Sequence, residues 1–366
     1  MSNYKPFVNL GPGDIIKEEL ECCRWEQRDL AEIMGRTPKN ISELVKNKTP
    51  ITYDTALQLS KVFKQSVTFW LNLDAQYRER LEDGAETKET EARALIYRYM
   101  PISELRKLGI LSKCRETLKK EVCAFWNFTR LDFGFLDKQA KVCFRKSKAF
   151  DHFNPFYALT WIQAVKNSIK GKAPVCQYDA KKLEHLADEI TDYSLRKNGV
   201  SLFIAQLQAC GVIFSHVPHL PHTHTDGASF MHKSNPVLAY TGRLDRIDNF
   251  WFTIAHEIGH ILKHLHGESD LFVDSFNDID MTDRREKEAD AFAGKILKSA
   301  IILSAFADTI RPSSSRVGIE SRRLNISPAI IAGCLQHHKK ASWNSFHELK
   351  SQIKPALKAL TPSFDL

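Results

Sequence analysis

The sequence predicts a mainly α chain, α+β overall, and three observations carry that prediction. Two short helical patterns meet at a single Gly near the N-terminus, amphipathic helical periodicity fills the middle, and a short β-rich run precedes an apolar helical segment holding H-E-x-x-H. Taken in order, these predict an all-α helix-turn-helix bundle over residues 1–80 and a linker with a helical region over 81–198. An α+β domain with a small antiparallel sheet is expected over 199–366.

At 366 residues the chain exceeds what one core usually supports, and 43% hydrophobic with 26% charged residues is ordinary globular usage. The net charge of +8 is too diffuse to argue for nucleic acid without a local cluster. The eight cysteines, Cys22, Cys23, Cys114, Cys123, Cys143, Cys176, Cys210 and Cys334, form no C-x-x-C pair, which suggests a reducing compartment. No apolar run approaches the roughly 18 residues that cross a bilayer, and the polar start Met1-Ser2-Asn3-Tyr4-Lys5 is no secretory signal. A cytoplasmic location without a membrane partner is the expectation.

Gln27 to Gly35 reads as a short helix ending in Gly, and Thr37-Pro38 supplies an N-cap followed by Pro at the first helical position of the next. Ala31 lets two helices approach, Gly35 makes the turn, and Ile41 and Leu44 anchor the second helix. Thr37, Lys39, Asn40 and Glu43 are left facing outward, where a major groove would lie. Arg36, Lys46 and Lys48 fall near phosphates, and Gln27 can touch the backbone.

Residues Glu82 to Glu91 are charged and Gly-broken, a linker or solvated helix. Ile102 to Cys123, Pro155 to Ile169 and Ala180 to Lys197 read as amphipathic helices, with aromatics such as Trp126, Phe156 and Trp161 as core rather than a ligand box. Beyond a strand at Gly211 to Phe214, His216, His219, His222 and His224 are interleaved with Pro218 and Pro221, which reads as an exposed loop rather than a second metal site. Asp278, Asp280 and Asp283 lack the Gly and terminal Glu of a calcium loop and read as solvated.

In Thr253-Ile254-Ala255-His256-Glu257-Ile258-Gly259-His260, two histidines four residues apart share one helix face and can both reach one Zn²⁺. Glu257 follows the first of them, where a carboxylate can serve as general base toward water. Phe250, Trp251, Ile254, Ile258 and Ile261 would bury this helix on most sides. Imidazoles and a carboxylate there carry a desolvation cost that a metal removes.

A third protein ligand is needed, and two candidates compete. His266 lies six residues after His260, but Lys263 stands where a sharp turn would need Gly, so His266 reads as helix end or cap before Gly267, and His264 likewise as an ordinary helix-end histidine. Glu286 lies in the helical pattern Arg285-Glu286-Lys287-Glu288-Ala289-Asp290, where Glu286 and Asp290 are i, i+4. Glu286 is favoured as ligand and Asp290 as the hydrogen-bond acceptor of a ligand histidine, while Glu288 points elsewhere.

From about Gly199 onward the chain resembles the ImmA/IrrE family of metallopeptidases. The resemblance rests on the Phe250-to-His260 helix, the Glu286-to-Ala293 segment, the strand Pro236 to Arg243, and the closing segment from Ile326-Ser327-Pro328 to His337. It implies a zincin-like fold and a zinc endopeptidase that cuts a regulatory protein, a repressor or an antitoxin. The strand Pro236 to Arg243 would bind an extended peptide along its edge. Tyr240 and His337 are the candidates for stabilising an oxyanion.

Over about seventy residues, Pro12 to Leu20, Gln27 to Gly35, Ile51 to Ser60 and Phe69-Trp70-Leu71-Asn72-Leu73 resemble HigA-type antitoxins of the Xre-like class. That resemblance implies a homodimer on a double-stranded DNA operator, and possible sequestration of a small toxin. A different class of reading is a non-catalytic repressor whose zinc domain is structural or docks a toxin.

Overall fold

The computed structural model describes residues 9–81, 85–143, 153–172, 174–267, 270–274 and 284–358. They fall into two compact units, 1–92 and 93–366. The described part is mainly helical with one small sheet.

The first unit packs α1 (Pro12–Cys23), α2 (Gln27–Ile33), α3 (Pro38–Val45), α4 (Tyr53–Phe63) and α5 (Val67–Leu81) around Ile16, Leu30, Ile41, Leu59 and Trp70. Thr37 caps α3 by accepting from the Asn40 amide at 3.2 Å, which satisfies one of the orphan donors of the first turn. Gly35 reverses the chain between α2 and α3 at φ +61°, a left-handed conformation that Gly adopts without penalty. Ala31, Ile41 and Leu44 are buried at this junction, as the sequence predicts. At Gly13 a Cβ would stand 2.3 Å from the Val45 carbonyl oxygen, so α1 starts directly against the end of α3.

Then come α6 (Ala85–Tyr99), α7 (Ile102–Lys107), α8 (Leu118–Trp126), α9 (Phe133–Cys143), α10 (Pro155–Ile169), α11 (Ala180–Asp188), α12 (Ile190–Ser194) and α13 (Gly199–Ala209). Of the expected linker at 82–91, residues 82–84 lie outside the described residues and the rest is helical. The single helix expected over Ile102 to Cys123 is two, because Gly109 takes φ +72° and the polar run after it cannot bury a face. Ala180 to Lys197 likewise divides at Glu189.

The sheet contains β1 (Ile213–His216), β2 (Gly227–His232), β3 (Asn235–Tyr240) and β4 (Leu271–Asp274) in the order β1-β3-β2-β4. It is mixed, not antiparallel as expected. The long loop after β1 lets β2 and β3 enter as a hairpin, so β3 runs parallel to β1, with Ile213 opposite Val237, and β2 is antiparallel to both β3 and β4. β3 therefore has partners on both sides and cannot take a peptide along its edge.

Alternation along β3 sends Val237 and Ala239 to one face and Leu238 and Tyr240 to the other. The first face packs with Val122 and Phe125 of α8 and Trp161 and Val165 of α10, and the Trp161 indole donates to the Val217 carbonyl at 2.9 Å. Trp126, Trp161 and Phe156 thus belong to a core, as expected. The second face packs with α14 (Ile247–Lys263), α15 (Arg284–Ile296) and α18 (Pro328–His337); between these last two run α16 (Ser299–Ala305) and α17 (Ser314–Leu324). No helix of the described residues is long and apolar enough to cross a membrane. The cysteines whose side chains are described are all free thiols.

Candidate metal centre

α14 is buried along nearly its whole length, through Phe250, Trp251, Ile254, Ala255, Ile258 and Ile261. Its polar residues emerge on one side. His256 Nε2 and His260 Nε2 stand 2.9 Å apart, and Glu286 Oε2 of α15 lies 3.3 Å from the first and 3.4 Å from the second. Four ligands held at 2.0–2.1 Å in a tetrahedron are about 3.3 Å apart, so this triangle has the dimensions of three corners of a zinc site. His256, His260 and Glu286 are the one group of three potential ligands that converges in this way among the described residues.

The outer hydrogen bonds fix what the inner atoms offer. His256 Nδ1 meets Asp290 Oδ1 at 2.8 Å, which assigns the proton to Nδ1 and a lone pair to Nε2. His264 Nε2 meets Glu288 Oε2 at 3.1 Å, so its Nδ1 is the acceptor for His260 Nδ1–H at 3.0 Å. Burial lowers the His264 pKa, which favours the neutral ring. With neutral imidazoles, both Nε2 lone pairs and a carboxylate oxygen face a common point. Such donors repel one another, and a divalent cation turns that repulsion into ligation; the residues fit the metal.

The approach of α15 depends on Gly259. A Cβ there would stand 3.2 Å from Ala289 Cα and 3.2 Å from a Phe292 ring carbon, so the helices cross nearly in backbone contact and Glu286 reaches the histidines. Glu257 is fully buried under β2, where a Cβ on Gly227 would stand 2.4 Å from its Oε1. Gly227→Ala is therefore expected to push the carboxylate aside, at a cost of about 1–3 kcal/mol by overpacking. Denaturant unfolding checks the cost, and an unchanged midpoint would contradict the tight contact.

Glu286 and Asp290 share a face of α15 and both meet His256, while Glu288 points away from the ligand triangle and joins Arg284 at 2.7 Å to His264. α14 ends at Lys263, and the exposed His266 sits in the turn beyond, its amide donating to Asp270 at 2.9 Å, away from the ligand triangle. His264, which sequence reasoning left as an ordinary helix-end histidine, is the one it missed. Its spacing of four from His260 was the available signal.

Tyr240 lies in the core with its ring edge-on to Phe250 at 5.3 Å, and His337 lies 5.8 Å from Phe252. The histidine-rich segment is not simply an exposed loop. His216 ends β1 and is buried, its pKa pushed down to about 4 by desolvation, whereas His219 and His222 are exposed. Asp278, Asp280 and Asp283 lie outside the described residues. In the first unit, Gln27, Thr37, Lys39, Lys46 and Lys48 are exposed and Glu43 is partly so. Arg36 and Asn40 hold each other at 3.2 Å, and Arg36 also donates to Gln58 at 2.8 Å.

A helical unit with a reversed helix pair, followed along the chain by a unit whose buried helix presents H-E-x-x-H to an acidic helix, defines a regulator-type module joined to a metallopeptidase-type domain. Residues 213–327 match a peptidase family model described as IrrE N-terminal-like domain.

The N-terminal region matches HTH-type transcriptional regulators. It is 40% identical over 65 residues to the uncharacterized HTH-type transcriptional regulator YbaQ of Escherichia coli, covering 18% of this chain and 58% of that protein. It is 36% identical over 76 residues to virulence-associated protein I of Dichelobacter nodosus, covering 20% and 68%. An addiction module antidote protein of a HigA family from Coxiella burnetii is 29% identical at a TM-score of 0.22, covering 23% of this chain and 94% of that one. The chain thus spans somewhat over half the length of the first curated relatives it matches.

Proposed function

We propose that this chain is a cytoplasmic DNA-binding transcriptional regulator whose C-terminal domain is a zinc-dependent endopeptidase. Its substrate is a regulatory protein, a repressor or an antitoxin, in a stress or toxin–antitoxin circuit. The observation that supports catalysis most is the convergence of His256, His260 and Glu286 beside a fully buried carboxylate, Glu257. A purely structural zinc site closes its fourth position and has no use for such a base.

His256, His260 and Glu286 would hold Zn²⁺, which when bound polarises a carbonyl as a Lewis acid and lowers the pKa of water. Asp290 and His264 orient the two imidazoles through their Nδ1 protons. Glu257 takes a proton from the attacking water and delivers it to the departing amide nitrogen. The substrate backbone is placed along β4, whose side away from β2 carries no strand among the described residues. β4 adjoins the centre, since the Phe272 ring stacks on His260 at 4.5 Å.

In the first unit, α3 enters the major groove of a double-stranded DNA operator, with a homodimer reading an inverted repeat and a small toxin as a further partner. Thr37, Lys39, Asn40 and Glu43 would face bases, with Gln27, Arg36, Lys46 and Lys48 on phosphates. Lys46→Ala is expected to weaken binding evenly across sequences and to lower the salt slope by about 1. Titration of the full chain with promoter DNA at several salt concentrations checks this. A loss confined to one base position would instead assign Lys46 to base reading.

A further inference from the structure

We propose that a pocket in the C-terminal unit, outside the ligand triangle but adjoining it, with the lining Phe252 ring 6.4 Å from that of His256, binds a small apolar carboxylate. A cavity of about 310 Å³ lies between the N-terminal turns of α14, the Leu297–Ser299 corner and α18, with Trp343 at its rim. That volume is at the lower end of the roughly 300–1,000 Å³ that small-molecule sites occupy. Phe252, Leu297 and Ile330 make its apolar wall.

The charge at one end is unbalanced. Asp248 accepts from Arg246 Nε at 3.2 Å and Nη2 at 3.0 Å, and Lys350 Nζ approaches it at 2.9 Å. Asp248 and Lys350 are both buried, and Lys350 also donates to Gln336 Oε1, so two cations share one carboxylate and the Arg246 guanidinium, 31% exposed, carries the excess positive charge on the cavity lining. The carboxylate cannot turn away, because a Cβ on Gly333 would stand 2.9 Å from its Oδ2 and the α18 backbone closes over it. Both cations lie over the half-exposed Trp343 ring, at 5.3 and 5.7 Å.

Arg246 lines the cavity, and its Nη1 makes no hydrogen bond to a described residue. An anion there completes the guanidinium and cancels the excess charge. The ligand class is a monocarboxylate on a branched aliphatic or aryl body. It can be a free acid or the C-terminal residue of a peptide.

The test uses metal-free full-length protein, so it does not depend on the peptidase reading. Calorimetric titration with 4-methylpentanoate and with N-acetyl-leucine, each against its neutral amide, is expected to give Kd values of about 0.1–1 mM for the acids. The amides are expected to bind about tenfold more weakly or less. Ser299→Phe, which fills the cavity and leaves Arg246 in place, should abolish binding in a variant that unfolds at the wild-type midpoint. Binding of N-acetyl-leucine alone assigns the pocket to peptide ends, and binding of both acids assigns it to the free acid as well. Amides that bind as well as acids, no binding below 10 mM, or undiminished binding to folded Ser299→Phe would overturn the proposal.

Discussion

Glu257→Gln is expected to abolish cleavage while sparing both metal and DNA binding. Gln keeps the shape of the side chain that packs under Gly227 but cannot accept a proton, so the loss is that of the general base, about 10²–10⁴-fold. The ligand atoms belong to other residues, so zinc content should stay at the wild-type level. Operator affinity belongs to the first unit and should also hold. If cleavage drives derepression, a reporter behind the operator stays silent in this variant under inducing conditions. Reporter output equal to wild type would remove proteolysis from the circuit and favour a non-catalytic repressor.

His264→Ala is expected to weaken metal binding about 10–100-fold, although His264 offers no ligand atom. Its Nδ1 accepts the proton that keeps the His260 Nε2 lone pair directed at Glu286, and its own orientation is held by Glu288 and Arg284. Without it, the buried His260 Nδ1–H loses its acceptor, and the ring has neither a fixed tautomer nor a fixed angle. Asn at this position places an acceptor near the original Nδ1 and should recover most of the affinity, whereas a merely space-filling role would be recovered by Leu. Competition with a chelator of known affinity separates these cases, and an unchanged affinity in His264→Ala would contradict the relay.

The convergence of His256, His260 and Glu286 was legible in the sequence because helices report their faces by periodicity. His256 and His260 at four-residue spacing, and Glu286 and Asp290 likewise, needed only the crossing of two helices to meet. Gly259 makes that crossing close. The same logic extended one step would have included His264, but its position at a helix end supplied a sufficient local reason for a histidine. Glu288 was missed because two acidic residues two apart on a helix face different ways, and only tertiary contact shows what each meets.

The sheet was harder to read. β2 and β4 are short and mix small, polar and aromatic residues, so neither shows clean alternation. The parallel pairing of β1 with β3 depends on a loop whose path has no local code. The helix pair of the first unit was readable for the opposite reason: Thr37, Pro38 and Gly35 each act on their own backbone. The division of Ile102 to Cys123 at Gly109 shows what periodicity alone overlooks when a polar connection separates two apolar patterns.

The central claim is that His256, His260 and Glu286 hold one metal ion. Elemental analysis of protein purified without a histidine tag, comparing wild type, Glu286→Ala and the double variant His256→Ala, His260→Ala, tests it most directly. The account predicts about one zinc per chain in wild type, a reduced content in Glu286→Ala and none in the double variant. A wild-type chain that takes up no zinc on reconstitution, or a double variant that keeps it, would contradict the account.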